Sequence, residues 1–252
     1  ITKAIISLLP SPKETSTLIV PYDKIQEAIK TVPEIIKNNI LPLAVEFIEG
    51  DAIELTERFL GKDWPVEGAD AYLMIVVDGR GKEDVEWISK EIADICLKNN
   101  AKDVFVADGK TKQKEILDFR SQMYEAMRPD CIEALDIVVP ISEIANHVET
   151  VHRLEQEYKI WLPTYGHAGD GNVHTHIMKT GCKDWQDVYP VVRNLLHEDA
   201  KKRGGMISGE HGIGFVKKEY LGKFIDKRQI ELMKVIKGVL DPNSILNPAK
   251  IF

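Results

Sequence analysis

What most constrains the fold of this chain is a hydrophobic period that switches repeatedly between 2 and about 3.6 residues. A strand buries alternate side chains and a helix buries a stripe, so each switch marks an element boundary. "STLIVPY" (Ser16–Tyr22) reads as a strand, and "DKIQEAIKTVPEIIKNN" (Asp23–Asn39) as a helix with Asp23 as N-cap. "PLAVEFIEG" is a second strand, followed by a short helix from Asp51 to about Leu60. "DAYLMIVVDG" (Asp70–Gly79) is a third strand, "KEDVEWISKEIADICLKNN" an amphipathic helix ending at Asn100, and "KDVFVAD" a fourth strand. The second half repeats this logic. A helix covers "KTKQKEILDFRSQMYEAM", "CIEALDIVVP" is a strand, and a helix runs from Ser142 to about Tyr158. Two strands flank the glycine-rich turn of "WLPTYGHAGDGNVHTHIM", Trp185 to Arg203 is helical, and "GGMISGEHGIG" is a short strand entering a loop. The tail is a helix, a turn at Asp241-Pro242-Asn243 and a tied-down end. The pattern predicts an α+β fold of two ferredoxin-like strand–helix halves, with an antiparallel sheet, helices on one face and a helical C-terminal segment.

A net charge of −7 with no basic stripe argues against nucleic acid as a partner. No apolar run approaches the roughly 18–20 residues a membrane helix needs. Cys96, Cys131 and Cys182 are odd in number and far apart, which reads as reduced thiols in a cytoplasmic protein; Cys96 falls on the apolar stripe of a helix, as core packing. The start, "ITKAIISLLPSP", is no signal peptide. Its alternation around Ile5 and Ser7 reads as a strand without a preceding partner, so the chain is expected to be the back portion of a longer polypeptide.

Three stretches carry chemistry. "GHAGDGNVHTH" (Gly166–His176) packs three of the seven histidines around a Gly169-Asp170-Gly171 turn. His167 and His174, on neighbouring arms, could offer lone pairs to one divalent ion; His174 and His176, on one face of one strand, are a competing pair. A solvated polar hairpin is the alternative. In "GGMISGEHGIGFVKKEYL", glycines flank Glu210-His211, and a turn there lets both reach one pocket, which a regular strand would forbid. Two histidines and one carboxylate with open positions form a catalytic rather than a structural metal pattern. On the helix "DFRSQMYEAMRP", Arg120 and Tyr124 share a face, and Arg120 suits a bidentate grip on a carboxylate. Lys112 and Lys114 read as a solvated face, and His147, His152 and His197 as surface or capping residues on helices.

"GHAGDGNVH", "ISGEHGIGFVKKEYL" and "LDPNSILNPAKIF" together resemble the C-terminal domain of FAD-linked oxidases that act on D-2-hydroxy acids: the glycolate oxidase flavoprotein subunit, D-lactate dehydrogenases and D-2-hydroxyglutarate dehydrogenase. The resemblance implies that residues 1–12 end a preceding FAD-binding domain and that 13–252 form the cap that carries the substrate site. It implies a divalent ion (zinc, iron(II) or manganese) on His167, His174 and Glu210, with His211 as general base. It implies substrate contacts from Arg120, Asn172 and Tyr124, and a cofactor contact from Asn247 in the tail. The implied partners are the FAD-binding domain, a small 2-hydroxy acid, and an iron–sulfur subunit or electron-transferring flavoprotein as electron acceptor. A homo-oligomer is expected, in the cytoplasm or held at a membrane only through a partner.

The sequence departs from the family at three places. Ala134 stands where the 2-hydroxyglutarate enzymes carry a lysine two residues before the aspartate, here Asp136, which favours a small monocarboxylate such as lactate or glycolate. Leu117 and Phe119 lie where tryptophan is frequent, and Ala249 follows the tail proline where glycine is usual. No stretch makes a convincing FAD pyrophosphate loop, so turnover is expected to need the flavin domain. A metal-dependent hydrolase and a non-catalytic binding module are the rivals. Metal analysis separates a site from a bare module, and flavin absorbance in the parent separates dehydrogenase from hydrolase.

Overall fold

A computed structural model of the chain describes residues 3–8, 10–107 and 109–252. The first half runs β1 (Glu14–Tyr22), α1 (Ile25–Lys37), β2 (Ala44–Glu49), α2 (Gly50–Leu60), β3 (Ala71–Gly79), α3 (Lys82–Lys98) and β4 (Phe105–Val106). After α4 (Gly109–Ser121) and α5 (Met123–Met127), the second half runs β5 (Cys131–Ala134), β6 (Ile137–Val138), α6 (Ile144–Tyr158), β7 (Thr164–His167), β8 (Asn172–Met178) and α7 (Trp185–Lys202). The tail carries α8 (Lys218–Phe224) and α9 (Lys227–Leu240). No helix among the described residues is long and apolar enough to cross a membrane.

All strands join one antiparallel sheet in the order β4-β1-β3-β2-β7-β8-β5, with β6 also on β8. The first four strands thus follow the ferredoxin-like order 4-1-3-2. The second half repeats it. Met206 bridges Val138 and Ser208 bridges Asp136, at the fourth-strand position beside β5–β6, and β8 and β7 follow. The two halves meet edge to edge where β2 pairs with β7.

Strand alternation sorts the side chains into two layers. Leu18, Val20, Leu73, Ile75, Phe47, Val173 and Ile177 face α1, α3, α6 and α7, whose stripes (for example Ile25, Ala28, Ile29, Val32 and Ile35) complete the main core, Cys96 included. Ile19, Tyr72, Met74 and Ile48 point the other way, onto α2, α4, α5 and Trp64. The periodicity predicts helices on one face; α2, α4 and α5 add a second layer, which covers mainly the first half.

Several local expectations are corrected. Residues 3–8 form no strand and lie exposed; no strand among the described residues pairs with them. Lys24, not Asp23, is the N-cap of α1. The fourth strand shrinks to two residues; Asp108, its expected end, lies outside the described residues. The helix over 110–127 breaks at Gln122, and "GGMISGEHGIG" makes only isolated bridges. His147 and His197 are buried, not surface residues. His147 Nδ1 faces Asp199 at 2.7 Å, and His197 packs edge-on against Tyr220. The α6–α7 contact buries His147, and α8 packs Tyr220 and Phe224 against His197, which a lone polar residue on a helix does not announce.

Candidate active site

The polar residues of β2, β7 and β8 project from the sheet face opposite the main core. Register does the work. Glu46 pairs with His167 across the β2–β7 seam, and Tyr165 pairs with His174 across β7–β8, so the side chains form one patch. The hairpin turn requires glycine at 171, where φ is +90° and a Cβ would meet the Val139 carbonyl oxygen at 2.0 Å. A merely solvated hairpin is not what forms, because His174 is 7% and His176 1% exposed.

The 209–211 turn closes over this patch. Glu210 Oε1 lies 3.6 Å from His167 Nε2, 3.5 Å from His174 Nε2 and 3.7 Å from His211 Nε2. These spacings match the edge of a tetrahedron with ligand bonds of about 2.1 Å, roughly 3.4 Å, rather than hydrogen bonds. His167 and His174 sit edge to face with centroids 5.2 Å apart, while His211 stacks on His174 at 5.6 Å. Donor atoms of Asp136, His174, Glu210 and His211 also fall within 4.8 Å of one another. That group of four fits a divalent ion; His167 stands outside it and adjoins it through Glu210, and it has the supporting partner a ligand needs, its Nδ1 meeting Glu46 Oε1 at 2.6 Å.

Electrostatics prepare the cluster. Burial would raise the Glu46 carboxyl, but the His167 hydrogen bond and the Arg120 charge outweigh it and hold the group below the usual range. The Glu46 bond raises His167 against the effect of its burial. Burial, helped by the charge on His167, pushes His174 down to about 4, and burial brings His176 to about 3, so both are neutral lone-pair donors near pH 7.

The pocket beside the cluster is small, about 180 Å³. Arg120, Tyr124, Ala134 and Tyr165 form its walls against His167, His174, His176, Glu210 and His211. Arg120 lies over the Tyr165 ring at 4.4 Å and donates from Nη2 to Glu46 Oε2 at 2.6 Å, while its buried Nε has no partner among the described residues. Tyr124, half exposed, stands over His176 with centroids 6.1 Å apart. Asn172 is placed elsewhere: 3% exposed, it packs beneath Gly209, where a Cβ would come within 2.7 Å of its Cγ. Asn247 lies in the exposed tail, away from the pocket, with φ +47°. A larger cavity of about 370 Å³ beside α4, near Leu60 and Phe119, gathers no comparable set.

Sequence reasoning passed over Glu46, Asp136, Tyr165 and Lys217. The first two carried a legible signal: each is a carboxylate inside an apolar strand run, and a buried carboxylate demands a partner. Burial would raise Asp136, but the N–H groups of His211 and Glu210, the Ser208 hydroxyl and Lys217 hold it far below the usual carboxylate range.

Fold and site together define an α+β domain of two ferredoxin-like halves that gathers imidazoles, a carboxylate and an arginine on one sheet face. The chain belongs to the FAD linked oxidases, C-terminal domain family, whose sequence model matches residues 11–251. It is 36% identical over its whole length to a D-lactate dehydrogenase of Anaerostipes hadrus, covering 55% of that protein. It is 35% identical over its whole length to the glycolate oxidase subunit GlcD of Bacillus subtilis, covering 54%. The chain thus spans about half the length of these curated relatives. Among solved structures, p-cresol methylhydroxylase with substrate bound shares the fold, with a TM-score of 0.69 at 12% identity, over 96% of this chain and 53% of that one.

Proposed function

We propose that this domain binds the substrate and a divalent ion for a flavin-dependent D-2-hydroxy acid dehydrogenase of the D-lactate or glycolate type. The observation that carries the reading is the partly buried Arg120, whose buried Nε has no partner among the described residues, lining a small pocket with the three-imidazole, one-carboxylate cluster. Oxidising such an acid removes a hydroxyl proton and a hydride from one carbon. Arg120 holds the carboxylate and so orients the reacting carbon. His211, exposed at the pocket rim, accepts the hydroxyl proton through a ring nitrogen. His167, His174 and Glu210 would hold the ion, which when bound supplies Lewis acidity to the hydroxyl. FAD, bound mainly outside this domain, supplies the hydride acceptor.

Small monocarboxylates are favoured because Arg120 is the one lysine or arginine among the described pocket residues and Ala134 adds no second cation to the lining. Dye-linked oxidation of D-lactate, glycolate and D-2-hydroxyglutarate by the flavin-bearing protein tests the reading, with metal content measured alongside. D-lactate or glycolate turnover with about one ion per chain is expected, and robust turnover by this domain without flavin would sink it.

A further inference from the structure

The turn that carries Glu210 and His211 is anchored by a residue with no part in the chemistry above. Asp136, fully buried between β5 and β6, receives four donors on its carboxylate. The Glu210 N–H reaches Oδ1 at 3.2 Å, while the His211 N–H, the Ser208 hydroxyl and the Lys217 ammonium reach Oδ2 at 2.9, 2.8 and 3.2 Å. The backbone carbonyl of Asp136 accepts the Gly209 N–H at 2.9 Å. Three successive amides of the turn therefore converge on one residue of the sheet. Successive backbone N–H groups aimed at one point make an anion-binding nest, and here the anion is the protein's own side chain.

The donors divide unevenly: three reach Oδ2, which has two lone pairs, and one reaches Oδ1. Oδ2, the oxygen 3.8 Å from His211 Nδ1, is thus already taken by the turn and Lys217 and poorly placed to ligate an ion. Lys217 balances the buried charge; it is 7% exposed, and its ammonium also donates to Ser208 Oγ at 3.2 Å. The turn needs such an anchor because its own sequence supplies little rigidity. It pairs with the sheet only by isolated bridges, and Gly212 and Gly214 follow it at φ +75° and +55°.

We propose that Asp136, neutralised by Lys217, is a positioning residue that clamps the 209–211 amides and so holds the Glu210 carboxylate and the His211 ring opposite His167 and His174. The proposal rests on the reading of the site given above, but the clamp can be measured without it. The test uses the flavin-bearing protein with Asp136→Asn, Lys217→Met and both changes together. Asp136→Asn keeps the size of the side chain but turns an NH2 group toward an amide donor.

Asp136→Asn is expected to lower kcat on D-lactate by about tenfold or more while KM stays within about twofold, because the Arg120 wall is untouched. Manganese binding weakens by roughly 10–100-fold. Amide hydrogen exchange over 209–211 accelerates, with or without metal and substrate. Lys217→Met leaves a buried carboxylate unbalanced and lowers Tm; the double variant regains Tm but neither kcat nor slow exchange. A double variant that regains kcat together with Tm would show a purely structural pair and overturn the proposal. Unchanged exchange in Asp136→Asn would overturn it as well. If the wild-type protein binds no metal and oxidises no hydroxy acid, yet its 209–211 amides exchange slowly and accelerate in Asp136→Asn, the clamp stands and the functional reading fails.

Discussion

The two halves share a strand order but differ in what covers their second face. In the first half, Ile19, Ile48, Tyr72 and Met74 project from that face and are sealed by α2, α4, α5 and Trp64. In the second half, the corresponding strands project Tyr165, His167, Asn172, His174 and His176, and among the described residues the end of α4 with Arg120, α5 and the 209–211 turn reach over them. All seven histidines of the chain fall between 147 and 211, in the second half. One topology thus serves two ends: where apolar side chains project, a helical layer closes the face, and where imidazoles project, a pocket is left. The difference teaches that the chemistry resides in which face stays uncovered, not in the strand order.

The sharpest way to break this comparison is to remove chemistry from the open face alone. Glu210→Ala and His167→Ala should each lose the metal and bring activity to background with the fold intact by circular dichroism, whereas His176→Ala should keep the metal in elemental analysis. Retained metal in His167→Ala would move the site to His174 and His176.

The covered face should respond the opposite way. Trp64, 2% exposed and packed against Phe119 at 5.0 Å, fills the layer over the first half. Trp64→Ala should cost about 3–5 kcal/mol in denaturant unfolding while kcat per folded molecule stays near wild type. A selective loss of kcat would show that the two faces are not independent.

At the seam, Glu46→Gln removes the carboxylate that orients His167 and pairs with Arg120. Metal affinity measured by competition with a chelator should fall by roughly 10–100-fold, less than for loss of a ligand.

The smallest effect concerns a second link across the seam, between Glu49 at the end of β2 and His152 on α6. Burial raises the Glu49 carboxyl to about 7, only partly offset by His152, and the Glu49 bond raises His152. Both folded values lie above the unfolded ones, so their stabilisation is full at acid pH and declines as pH rises through about 7. Tm should fall modestly as pH rises from about 4.5 to 7, the Glu49 window, with the His152 part continuing above 6.5, and Glu49→Gln should flatten the lower part of that slope. A Tm profile identical in the variant would remove this pair from the linkage.

Much of the site was legible because motif residues carry their own signatures. His167, His174, Glu210, His211 and Arg120 were all singled out, and they share one pocket. Asn172 and Asn247 were singled out equally but stand away from the pocket wall, one packed under Gly209 and the other in the exposed tail. Glu46 escaped notice, and Asp136 figured only as a landmark beside Ala134, because each sits in an apolar run that reads first as a strand. His147 and His197 misled for the converse reason: a polar residue on a helix reads as solvated until a second helix packs over it.

By itself the sequence determined the alternation of elements, the paired halves and the residue types able to hold a metal and grip a carboxylate, because periodicity and donor chemistry are local properties. Only the tertiary structure decided which histidines meet. His167 reaches Glu46 through the β2–β7 register, and Glu210 reaches both His167 and His174 through a turn clamped on Asp136. Those contacts span from 36 to 121 residues of chain. No local pattern encodes them, since the pairing of two edge strands and the closure of a glycine-rich turn are settled by packing the whole sheet.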